Sequence, residues 1–141
     1  MKRFFKGAML ALATVSIMAS CVSKPETKTE NVEEVADKMK TLLKEYNRKE
    51  EKTFEDILDF HVKFERIHPF QDGNGRVGRL IMFKECLKHN IVPFIITEEL
   101  KMYYYRGIKN WEIEREYLRD TCLTGQDQMK ATLDYFGIRY D

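Results

Sequence analysis

A chain of 141 residues suits one domain. Apolar residues make up 43% and charged residues 33%, which excludes a disordered polymer and fits a soluble globular core. A formal net charge of +1 gives no electrostatic reason to expect nucleic acid or a lipid surface as partner.

The first twenty residues read as a secretory leader, not as part of the fold. Lys2, Arg3 and Lys6 form a basic start, and residues 7–19 are apolar or small. That apolar run is too short to span a bilayer as a lasting helix. Small residues stand directly before Cys21, so the cut site resembles a bacterial lipoprotein box with Cys21 as the lipid-bearing first residue. The alternatives are a plain signal or an uncleaved anchor. A lipid on Cys21 would be the sole tie to a membrane and would place the domain on the periplasmic or cell-surface side; an unused leader would leave it in the cytoplasm. Loss of Lys2, Arg3 and Lys6 takes the formal charge from +1 to −2. Residues 21–31 are polar and read as a flexible tether.

Residues 32–141 read as one all-α domain. Val32, Val35, Met39, Leu42, Leu43 and Tyr46 mark an apolar stripe along a first helix, 32–47. Thr53 is placed to cap a second, with Asp56 three residues on. Phe54, Ile57, Leu58, His61, Phe64 and Ile67 then recur at helical spacing. Pro69 disfavours helical geometry at His68, so this helix stops there. A third helix is expected from near Arg76 to about His89. It is apolar nearly all round, through Val77, Leu80, Met82, Phe83, Cys86 and Leu87, which predicts a buried central helix. Pro93 argues against a central strand in the connector 91–96. Further helices are expected over 98–108 and 112–136, the last bent near Gly125. Cys86 and Cys122 read as buried free thiols, with one disulfide between them as the alternative in an oxidising compartment, and no zinc spacing is present.

Residues 68–79, between the second and third helices, hold the chemistry. They contain an imidazole (His68), a carboxylate (Asp72), three glycines (Gly73, Gly75, Gly78), an amide (Asn74) and two guanidiniums (Arg76, Arg79). Glycines let backbone N–H groups approach an anion, and a helix starting there adds its positive dipole end. Arginines fork onto phosphate oxygens, a carboxylate beside phosphates holds Mg²⁺, and a histidine takes a proton from an attacking hydroxyl. Together these are parts of a phosphate-transfer site. Gly73 to Gly78 also fits G-x-G-x-x-G, but the dinucleotide fingerprint needs a strand before it, and here a helix precedes. His61 sits on an apolar helical face and reads as structural. His89, at a helix end, complements the dipole. Phe70 reads as an anchor that packs the loop onto the core.

The run His68, Pro69, Phe70, Asp72, Gly73, Asn74, Gly75, Arg76, Arg79 resembles the Fic family motif, H-P-F-x-[D/E]-G-N-G-R-x-x-R, at every fixed position. The flanks 61–67 and 79–83 and the tail 117–127 are similar to family helices. The resemblance implies a Fic-type helical bundle with the active-site loop between two central helices. It implies a protein adenylyltransferase using ATP and Mg²⁺, with an unknown protein as target. His68 would be the base, Asp72 the metal ligand, and Gly73, Asn74, Gly75, Arg76 and Arg79 the phosphate cradle. Tyr104 and Tyr105 would lie where an adenine stacks. Family members also carry a β-hairpin flap ahead of these helices, for which the residues before Val32 leave no evident place, and residues 27–31 do not fit the family's inhibitory pattern. Related members transfer phosphate, UMP or phosphocholine, or remove AMP. A non-catalytic nucleotide-binding adaptor is the third reading.

Overall fold

The computed structural model describes residues 32–140. The leader, the tether and Cys21 lie outside the described residues. The fold is all-α, as the sequence pattern predicts: α1 (Val32–Asn47), α2 (Phe54–Ile67), α3 (Asn74–Lys88), α4 (Glu98–Asn110) and α5 (Glu116–Tyr135), with no strand among the described residues.

The start of α2 is fixed by the expected cap. The Thr53 hydroxyl accepts from the Asp56 N–H, and the Asp56 carboxylate accepts from the Thr53 N–H at 2.7 Å. Two orphan donors of the helix end are thus satisfied reciprocally. Its other end closes on His68, which adopts a left-handed conformation (φ 52°) while its N–H donates to Phe64 O at 3.1 Å. The chain can then leave as an extended Pro69 segment.

Two apolar clusters meet along α2. One joins Ile57, Leu58 and Val62 to Met82, Cys86, Phe94, Tyr104, Trp111, Leu118 and Cys122. The other sets Phe60 and Phe64 against Leu42 of α1. Cys86 and Cys122 are free and buried, and burial pushes the Cys86 thiol up to about 12. Trp111 is fully enclosed, with its indole N–H donating to Asp59 at 3.0 Å. Gly107 lets α4 close on α5, since a Cβ there would lie 2.6 Å from Leu118 Cα. The connector is pinned by Gln126, whose amide donates to Val92 O at 2.7 Å.

Two expectations are corrected. The third helix is not enclosed all round: Met82 and Cys86 are buried, but Leu80 is 69% and Leu87 56% exposed, because among the described residues α3 packs chiefly on α2. The last helix begins at Glu116, not Glu112. Residues 111–113 form a turn in which the Ile113 and Glu114 N–H groups both donate to Asn110 O, leaving Ile113 87% exposed. Gly125 lies inside the span of α5, close against Ile95 O (3.2 Å from an added Cβ), so closeness to the connector accounts for the glycine.

Candidate active site

The loop 68–73 carries the chain from the C-terminal end of α2 to the N-terminal end of α3. Gly73 caps α3 with φ 83°, a conformation open to glycine without strain. The first backbone bond of α3 runs from the Val77 N–H to Gly73 O at 2.9 Å. The N–H groups of Asn74, Gly75 and Arg76 therefore head the helix with no intrahelical partner. Such donors and the helix dipole are what an anion cradle needs.

Asn74 has a second job. Its side chain is 2% exposed and grips the backbone of Phe70 twice: Oδ1 accepts from the Phe70 N–H at 2.8 Å, and Nδ2 donates to Phe70 O at 2.6 Å. The amide shapes the loop and leaves only its backbone N–H for an anion. Phe70 touches Phe64 (ring centroids 6.3 Å apart) but is 48% exposed, so Asn74 anchors the loop more than Phe70 does.

His68, at the start of the loop, is exposed. Asp72 and Arg76 are also exposed and pair with each other at 3.0 Å (Nη2 to Oδ2). In high dielectric such a pair is weak and easily exchanged for a ligand's charges. Arg79 lies across Gly75: a Cβ at Gly75 would sit 3.1 Å from its Nη1. Asp72, Arg76 and Arg79 thus stand at the head of α3, and His68 begins the loop that leads into it.

No group of three His, Cys, Asp or Glu side chains among the described residues could hold a metal by itself. One exposed carboxylate, Asp72, fits a Mg²⁺ that arrives with phosphates and keeps several waters, the usual way that ion is bound.

The tyrosines divide. Tyr104 is 1% exposed, and its hydroxyl bonds to Nε2 of His61, also 1% exposed. It has no ring face open to a base, unlike the expectation. Tyr105 is 52% exposed and meets Tyr104 edge-on at 5.3 Å, so it alone of the two can offer a ring. Burial pushes the His61 imidazole down to about 4, with the nearby Arg79 charge adding to the effect. His61 is structural, as its apolar face predicts.

One residue escaped the sequence reading. The Glu65 carboxylate lies over Gly78, where an added Cβ would meet its Oε1 at 2.6 Å. That oxygen is buried with no hydrogen-bond partner and stands 3.9 Å from His61 Nε2. Burial pushes the Glu65 carboxyl up, while Arg79 and His68 act in the opposite sense. The available signal was its spacing: Glu65 is four residues after His61 and three before His68, on one helical face.

With this geometry in place, similarity to known proteins is informative. The family model described as Fic/DOC family matches residues 10–86, which include α1, α2, the loop and most of α3. Protein adenylyltransferase Fic of Drosophila mojavensis is 41% identical over 49 residues, and the same holds for its counterparts in Drosophila grimshawi and Drosophila melanogaster. Each match covers 35% of this chain and 10% of the relative, so the chain spans about a tenth of the length of the curated relatives it matches. With more than half of its residues aligned to the family model and the whole loop motif intact, the chain belongs to the Fic/DOC family.

Proposed function

We propose that the chain transfers AMP from ATP to a hydroxyl side chain of a target protein. The observation that carries this reading is an exposed imidazole, His68, at the start of the short loop that ends in the N–H groups heading α3. The name of the matched relatives, protein adenylyltransferase, supports the same class.

In this reading the triphosphate lies on the N–H groups of Asn74, Gly75 and Arg76. His68 takes the proton of the target hydroxyl as its oxygen attacks the α-phosphorus. The new oxygen–phosphorus bond forms while the bond to the bridging oxygen breaks, and pyrophosphate leaves with that electron pair. Arg76 and Arg79 hold the outer phosphates and meet the growing charge on the leaving group. Asp72, released from Arg76, would hold Mg²⁺, which supplies charge neutralisation on the phosphates. Nothing here asks the protein for a covalent intermediate; positioning and electrostatics suffice.

The test is incubation of the purified full-length chain and candidate targets with Mg²⁺ and ATP labelled separately at the α- and γ-phosphates. Label on protein from the α position supports AMP transfer. Label from the γ position alone moves the assignment to phosphate transfer, and binding without label to a non-catalytic nucleotide binder. In His68→Ala the transfer rate is expected to fall by roughly 10²–10⁴-fold with ATP binding retained. Unchanged labelling in that variant removes His68 from the role of base.

A further inference from the structure

We propose that the ion pair between Asp72 and Arg76 is a latch, through which the head of α3 takes a polyphosphate chelated to a divalent cation and disfavours the bare anion. The inference rests on the reading of that helix end as a polyphosphate site and deepens it.

The turn builds the pair. Asp72 stands before the helix and Arg76 in its first turn. Gly73, with φ 83°, bends the chain between them, and the Arg76 guanidinium lies against that glycine. An added Cβ would sit 3.4 Å from its Nη2, 3.8 Å from Nε and 3.9 Å from Cζ. From there Nη2 donates to Asp72 Oδ2 at 3.0 Å.

Each partner is therefore engaged until the other is released. A lone anion must draw Arg76 away from Asp72 and then lie beside an uncompensated carboxylate. A lone cation must draw Asp72 away from Arg76, and among the described residues no group of three His, Cys, Asp or Glu side chains stands ready to hold it without phosphates. A cation already bound to phosphates meets both needs at once. One ion pair is exchanged for two, Asp72 with the cation and Arg76 with a phosphate oxygen. Metal and anion then bind with positive coupling, and the coupling is reciprocal. Asp72 is 92% and Arg76 76% exposed, so the latch is worth only a few-fold in affinity.

Plain repulsion between Asp72 and an anion gives the same sign for Asp72→Asn. The two accounts differ in what they ask of Arg76. Repulsion acts whether or not Arg76 is present, whereas the latch needs both partners.

The test is calorimetric titration of inorganic pyrophosphate into the full-length chain, once with Mg²⁺ and once with a chelator in its place. It compares the wild type, Asp72→Asn, Arg76→Ala and the double variant. Without metal, Asp72→Asn is expected to bind about threefold more tightly than the wild type. The same change made in Arg76→Ala should give no gain. With Mg²⁺ the wild type is expected to bind more tightly than without it, and Asp72→Asn to lose most of that advantage. A metal-free gain that is equal with and without Arg76 overturns the latch, as does the absence of any gain. In either case pyrophosphate binding by the wild type leaves the polyphosphate reading of the helix end standing. A wild-type chain that binds no pyrophosphate in either buffer defeats that reading itself, and the latch with it.

Discussion

Asn74 bears on both stability and ligand binding. Its side chain closes the loop through two bonds to Phe70, while its backbone N–H is one of the three at the head of α3. Asn74→Ala removes both side-chain bonds at a 2% exposed position and is expected to lower stability by about 1–3 kcal/mol. Asn74→Asp separates the two functions. It keeps the acceptor for the Phe70 N–H but sets a second oxygen against Phe70 O in place of the donor, a loss partly offset because a carboxylate is welcome at a helix N-terminus. The same charge repels a phosphate. The expected outcome is a melting temperature nearer the wild type than that of Asn74→Ala, with calorimetric affinity for Mg²⁺·ATP at least as poor. An Asn74→Asp chain that binds ATP as the wild type does would take the phosphates away from this helix end. Motif and spacing identified Asn74 as a site residue, but they could not say that its amide is used up within the loop. That fact depends on the turn taken between Pro69 and Gly73, which is a matter of backbone direction.

Whole elements were legible where local rules decide them. The Thr53 capping box, the stop at His68 before Pro69 and the extent of α1 follow from neighbours a few residues apart. What sequence could not show depends on which helix lies against which. Composition gives α3 an apolar surface nearly all round, yet Leu80 and Leu87 are exposed. Tyr104 sits among three consecutive tyrosines, and only the crossing of α4 over α2 brings its hydroxyl to His61. That clasp has a pH signature. His61 is held neutral in the fold, with its pKa down at about 4, whereas in the unfolded chain it titrates near 6.5. Between these values the unfolded state binds more protons, so stability falls as pH drops from about 6.5 to 4, by roughly 3 kcal/mol in all. The Glu65 carboxyl, pushed up by burial, works in the opposite sense at the acid end of this window. His61→Gln can still bond to Tyr104 but does not titrate. Urea midpoints measured across the window should slope for the wild type and be nearly flat for His61→Gln. Equal slopes would assign the acid sensitivity to other groups.

For the molecule as a whole, the open question is what becomes of the residues before α1. The family match begins at residue 10, inside the apolar run that reads as a leader to be removed. The two readings make opposite statements about the mature chain. Lys2, Arg3 and Lys6, the short apolar run and the small residues before Cys21 favour removal and lipidation. The consequence is geometric. Residues 21–31 are eleven in number, and a fully extended chain covers at most about 3.6 Å per residue, so a lipid on Cys21 would keep the start of α1 within roughly 40 Å of the bilayer. Targets would then be confined to proteins near that surface, and the ATP would have to be present in the same compartment. Expression of the full-length gene product in bacteria with a clickable fatty acid should give a membrane-bound protein labelled at Cys21, with a mass lacking residues 1–20. Cys21→Ser should abolish the label and release the protein from the membrane fraction. A mature protein that keeps Met1 and carries no lipid would return residues 10–20 to the domain and free the transferase from the membrane.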